Sequence, residues 1–131
     1  MSFLLDTNIC SAVLKFDRRV FSRWTQHGGN LFVSQISLAE LYDWAYRSPN
    51  ASSRIKSLDE FCTAVELLDF DQASAHEFGR LRRDLRNQGL AVKDVDLLIA
   101  SVALARGLIL VSNDQDFRNV PGLQTEDWLQ T

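Results

Sequence analysis

Asp94–Ser112 reads DVDLLIASVALARGLILVS. From Asp94 to Arg106 the stretch is apolar on nearly every side, which a helix tolerates only where other layers cover it. Gly107 then stops the helix, because glycine accepts the left-handed backbone that ends one. Leu108–Ser112 follows without polar alternation, as in a strand buried on both faces. A covered helix, a glycine and a doubly buried strand form the repeating unit of an α/β protein with a parallel sheet.

The same alternation runs through the rest of the chain. Phe3–Asp6, Leu31–Ser34 and Glu66–Phe70 read as strands, with Gln124–Glu126 as a short edge strand. Asn8–Phe16, Arg18–His27, Ser37–Arg47, Ala51–Val65 and Gln72–Gln88 read as helices. Gly28-Gly29, Ser48-Pro49-Asn50 and Gly89 supply the stops. No repeat, linker or low-complexity segment divides the chain, so residues 1–131 are expected to form one domain.

Apolar residues make up 46% and charged ones 24%, which supports a real core and excludes a disordered chain. Cys10 and Cys62 lack any CxxC or ligand spacing and fall at apolar helix positions. They read as reduced core residues, in keeping with a cytoplasmic setting. The longest apolar run, Leu97–Val111, is broken by Arg106 and Gly107 and is too short to span a bilayer. No signal-type leader is expected ahead of the first strand. The formal net charge of −3 has the wrong sign for attracting a nucleic acid in bulk. An RNA ligand would need a metal and a local basic patch.

Acidic residues recur where elements begin or end: Asp6 in FLLDTN, Glu40 in ISLAEL, Asp96 in DLLIAS, and Asp114 with Asp116 in SNDQDF. A parallel sheet gathers such positions at its carboxyl edge. Crowded carboxylates repel unless a cation joins them, and Mg²⁺ or Mn²⁺ suits an all-oxygen set. Each residue also has a plain structural reading. Asp6 is a natural helix N-cap, although Thr7 or Asn8 can serve instead. Ser37-Leu38-Ala39-Glu40 has the form of a capping box. Asp94 reads as the N-cap of its helix, which frees Asp96. The two point about 200° apart at 3.6 residues per turn, so only one faces the crevice. Asn113-Asp114 is a common turn pair. Asp114 lies closer to the strand end and is the first choice there, with Asp116 acting through water or capping. Ser112 and Asn113 are placed to add supporting hydrogen bonds.

Arg80, Arg83 and Arg86 share one helix face. They read either as a solvated face paired with Glu77 and Asp84 or as a phosphate-contacting strip. His27 and His76 have no ligand or triad spacing, and no phosphate-binding glycine motif is present.

Taken in order, LLDTN, SLAEL and GLAVKDVDLLIASVALARGLILVSNDQDFRNVPGLQTEDW resemble the PIN domain, and more closely the VapC-type toxins of bacterial type II toxin–antitoxin systems. The resemblance implies a PIN-like three-layer α/β/α sandwich with a central parallel sheet of four to five strands. It also implies a metal-dependent endoribonuclease held inactive by a cognate antitoxin, often as a homodimer or a toxin–antitoxin hetero-oligomer. Asp6, Glu40 and Asp96 match the family's core acids, and Asp6 and Asp96 resemble its magnesium ligands. The fourth acid is either Asp114 or Asp116.

The expected chemistry is hydrolysis of an RNA phosphodiester, transfer RNA being one substrate the resemblance implies, with Mg²⁺ or Mn²⁺ held by Asp6, Glu40, Asp96 and Asp114. Trp44, Tyr46 and Phe61 are the expected antitoxin contacts. A PIN-like scaffold that binds RNA or protein without cutting is the competing reading. A phospho-accepting receiver would want an acid pair after the first strand and a lysine after the last. A haloacid-dehalogenase phosphatase would want an acid where Asn8 stands.

Overall fold

A computed structural model of the chain describes residues 1–130. Five strands, β1 (Phe3–Leu5), β2 (Leu31–Ser34), β3 (Glu66–Leu68), β4 (Ile109–Val111) and β5 (Thr125–Glu126), form one parallel sheet in the order β3-β2-β1-β4-β5. Between them run α1 (Thr7–Leu14), α2 (Arg18–Gln26), α3 (Gln35–Arg47), α4 (Ala51–Cys62), α5 (Gln72–Asn87) and α6 (Asp94–Arg106). A 3-10 turn, Gln115–Asn119, follows β4.

The sheet divides the core in two because strand side chains alternate between faces. Phe3, Leu5, Leu31, Val33, Ile109 and Val111 pack with helices α1 to α4. Leu4 and Leu110 point the other way, into α5 and α6, where Leu81, Leu85, Leu97 and Ile99 are fully buried. This is the three-layer α/β/α arrangement. Burial on both faces explains why FLL and LILV carry no polar alternation. Gly107 ends α6 at φ +66°, as its sequence position implies. Both cysteines are free, and burial pushes the Cys10 thiol pKa up. Among the described residues no helix is long and apolar enough to cross a membrane.

Most elements shift by one to three residues at one end or both from the sequence reading, and four of the departures have a visible local cause. Ser34, the last residue of β2, caps α3 directly by accepting the Ile36 N–H at 3.0 Å, so the helix starts at Gln35 rather than Ser37. The expected capping box therefore does not form. Ser37 lies inside the first turn, its hydroxyl buried and without a partner among the described residues. Lys93, not Asp94, occupies the N-cap of α6; Asp94 is the first helical residue and pairs with Arg82 at 2.5 Å. Helix α4 stops at Cys62, where Thr63 and Ala64 close it with short-range backbone bonds to Glu60 and Phe61. Strand β3 stops at Leu68, because Asp71 is already turned to cap α5 through Ser74.

Candidate metal centre

Strands β1 and β4 lie side by side, and the chain leaves them in opposite directions, toward β2 and β3 on one side and β5 on the other. Such a switch point opens a crevice at the carboxyl edge of the sheet. The Asp6 N–H donates to the Val111 carbonyl at 2.9 Å, which places Asp6 and Ser112 as adjacent residues on the lip.

Asp6 is buried, and both carboxylate oxygens are held. Oδ1 accepts the Thr7 N–H at 2.8 Å and Oδ2 accepts the Ser112 hydroxyl at 2.8 Å. The N-cap of α1 is thus Asp6, as its plain structural reading had it, and not Thr7 or Asn8. Ser112 Oγ also accepts the Asp114 N–H at 3.0 Å, so one hydroxyl ties the β1 acid to the β4 loop. Asp114 Oδ1 in turn accepts the Asp116 N–H at 2.9 Å and caps the 3-10 turn. On the opposite wall the Thr7 hydroxyl donates to Glu40 Oε1 at 2.6 Å. Because α3 begins at Gln35, Glu40 stands in its second turn, exposed. Asn8 reaches Asn113 at 3.5 Å across the mouth.

One oxygen each from Asp96, Asp114 and Asp116 lies within 4.8 Å of the others. Asp96 arrives from the first turn of α6, half-buried, while Asp116 is exposed. Of the sequence candidates, Asp96 and Asp114 thus meet Asp116 directly. Asp6 and Glu40 lie outside that group of three and connect through Ser112 and Thr7. Burial first, then the neighbouring charges of Asp6, Asp114 and Glu40, push the Asp96 pKa up to about 6; Lys93 opposes this. Burial also raises the Asp6 pKa, offset in part by Ser112 and Thr7 and reinforced by Glu40 and Asp114. Asp6, Glu40, Asp96 and Asp114 therefore act on one another as a single electrostatic site.

The donor set fits a hard divalent cation. It offers carboxylate oxygens with no thiolate or imidazole. Ligands about 2.1 Å from one Mg²⁺ stand at most about 4.2 Å apart, so small side-chain rotations close the Asp96, Asp114 and Asp116 group around an ion. The Thr7–Glu40 bond was not read from the sequence; its only trace there is a hydroxyl directly after Asp6.

The remaining candidates resolve elsewhere. Arg80 pairs with Glu77 and with Asp84, the latter at 3.3 Å, and Arg83 pairs with Asp84 at 2.9 Å. For these two the solvated-face reading holds. Arg82 turns inward to brace the Val92 carbonyl and Asp94. Among the expected partner contacts, Phe61 is buried beneath Trp24, and Trp44 is covered by the Arg54 guanidinium at 4.2 Å. Tyr46 alone is largely exposed.

The family model of the PIN domain matches residues 3–123. The chain belongs to the PIN domain family. Ribonuclease VapC2 of Haemophilus influenzae is 37% identical to this PIN domain over 133 residues, spanning 98% of the chain and 99% of the relative. The tRNA(fMet)-specific endonuclease VapC of Shigella flexneri is 36% identical over 130 residues, spanning 98% of each. Among solved structures, VapBC2 from Rickettsia felis, bound to a DNA fragment from its promoter, matches with a TM-score of 0.92 at 33% identity, over 98% of this chain and 99% of that one. These likenesses place this PIN domain in the VapC branch.

Proposed function

We propose that this PIN domain is an endoribonuclease dependent on Mg²⁺ or Mn²⁺, the toxin of a type II toxin–antitoxin pair, with transfer RNA as its substrate. The observation that carries the reading is the carboxylate group at the sheet switch point, where Asp96, Asp114 and Asp116 converge beside Asp6 and Glu40. The ribonuclease and tRNA(fMet)-specific endonuclease relatives support RNA, and transfer RNA in particular, as the substrate.

Asp96, Asp114 and Asp116 would hold the cation, with Asp6 steadied beside them by Ser112 and Thr7. A divalent cation there supplies acidified water and stabilises charge building on the phosphate. Thr7 fixes one oxygen of Glu40 and leaves Oε2 without a partner among the described residues. With a cation bound, that atom would be free to orient water or accept a proton. Burial and the crowded acids make Asp6 and Asp96 hold their protons more tightly than ordinary carboxylates, and a cation bound beside them would lower both pKa values by offsetting that repulsion.

The VapBC2 likeness supports an antitoxin partner. Its seat is a groove of about 270 Å³ between α1, α2 and α4, lined by Val13, Leu14, Phe16, Phe21 and Trp24, with buried Phe61 as its floor. Of the expected contacts Trp44, Tyr46 and Phe61, only Phe61 lines this groove, and exposed Phe16 and Phe21 give it an apolar rim.

Purified protein incubated with total bacterial RNA, with and without EDTA, tests the enzymatic reading. Discrete cuts that vanish with EDTA and in an Asp96→Ala variant are expected. RNA that binds but stays intact under every metal tried would leave a non-catalytic binding module.

A further inference from the structure

Beside the candidate metal centre lies a hollow of about 170 Å³, walled by Ser112, Asn113, Asp114, Arg118, Glu126 and Asp127. It shares Ser112 and Asp114 with the crevice, so whatever enters it lies next to the carboxylates. Arg118 is the one cation among all the residues that line it. In so acidic a hollow an arginine would ordinarily be consumed by an ion pair, yet Arg118 makes none among the described residues. The nearby acids already have partners. Glu126 accepts the Trp128 Nε1–H at 3.1 Å, Asp127 accepts the Leu129 N–H at 2.8 Å, and Asp114 accepts the Asp116 N–H at 2.9 Å. Glu126 and Asp127 are half-buried and Arg118 is exposed, so a polyanion approaching from solvent meets the guanidinium first. A chain of net charge −3 with five acids at its crevice needs such a contact to keep RNA in place.

We propose that Arg118 grips a phosphate adjacent to the one that is cut and so holds the RNA strand across the carboxylates. This rests on the ribonuclease reading above. Arg118 is then a positioning residue, and its planar fork suits a phosphate better than a lysine would.

Two readouts separate this proposal from that reading. The first is binding of a short fluorescein-labelled single-stranded RNA in EDTA, followed by anisotropy over a range of salt concentrations. The second is cleavage of bulk transfer RNA with Mg²⁺. Arg118→Ala is expected to weaken binding about tenfold, the worth of one charge-assisted hydrogen bond. The slope of log affinity against log salt should become shallower by about 0.7, as for one lost single-strand phosphate contact. In cleavage, KM should rise while kcat stays within about twofold. Arg118→Lys should restore part of the salt slope. Arg47→Ala removes the same charge from the last turn of α3, a helix that starts beside the crevice and ends 13 residues on, and should change neither readout. An unchanged slope in Arg118→Ala overturns the proposal, and so does a loss confined to one base identity, which would mark a base contact. Should Arg118→Ala melt early, Arg118→Gln keeps the side chain's bulk and is judged by the same slope. If wild-type protein binds RNA with the expected Arg118 dependence but cuts nothing, the ribonuclease reading fails and the phosphate contact stands.

Discussion

Ser34 and Ser37 stand one helical turn apart, and only one of them closes the end of a helix. Ser34 gives its hydroxyl oxygen to the Ile36 N–H, whereas the Ser37 hydroxyl is buried with no partner among the described residues. Ser34→Ala should therefore cost about 1 kcal/mol in a urea melt, and Ser37→Ala should cost nothing or gain slightly, since it removes an unpaired buried hydroxyl. The reverse ranking would restore the capping box read from the sequence. Asp96 gives a second expectation. Its folded pKa of about 6 lies above the ordinary carboxylate value, so the folded chain binds this proton more tightly than the unfolded one. In EDTA, Asp96 thus favours folding most at low pH, and that contribution fades as pH rises from about 4 through about 6. Thermal melts across that window should show the trend in wild type and lose much of it in Asp96→Asn. A wild-type curve indistinguishable from the variant's would mean that the carboxylates do not crowd as described. Acidic residues at element ends were legible in the sequence. Their hydrogen bonds through Ser112 and Thr7 were legible only in part, because those contacts span 106 and 33 residues.

Helix ends were readable where glycine marks them and misread where side chains or strain do the work. Gly107 announced the end of α6, whereas the corner between α1 and α2, read from the sequence as a break after Phe16, carries no glycine. There the Phe16 N–H bonds the Val13 carbonyl and the Asp17 N–H bonds the Ala12 carbonyl, each at 3.0 Å, the double closure that usually places glycine at the left-handed position. Phe16 occupies it instead, at φ +58°, with 76% of its surface exposed. A bulky residue there costs about 1–2 kcal/mol and gains no core burial in return. The strain makes sense if the ring serves a partner at the groove between α1, α2 and α4. Phe16→Gly should raise stability by about 1 kcal/mol and weaken binding of the co-expressed antitoxin in a pull-down or calorimetric titration. Undiminished binding would assign the ring no part in the contact, and lowered stability would place Phe16 in the packing.

Strand order was the part of the fold that local pattern could not supply. The apolar runs identify the strands, but β1 takes the centre only because β2 and β3 are laid on one side and β4 and β5 on the other. That choice makes the crevice, and it draws acids from positions 6, 40, 96, 114 and 116 to one lip of a chain whose formal charge is only −3. Folding therefore works against local repulsion, and a ligand that relieves it must stabilise the folded chain. A divalent cation that binds the folded state alone contributes about 1.4 kcal/mol at ten times its Kd, or roughly 5 °C in melting temperature for a domain of this size. Sodium chloride at matched ionic strength also screens the acids, but weakly at contact distance and without saturation. Titrating MgCl2 or MnCl2 into the EDTA-treated protein should thus give a saturable rise in melting temperature beyond the sodium control. In Asp96→Asn the metal-free protein should start higher, having lost one of the crowded charges, and the saturable rise should shrink or vanish. A rise of the same size in both proteins would put the cation elsewhere on the surface, and no rise in either would deny that these carboxylates form a metal site.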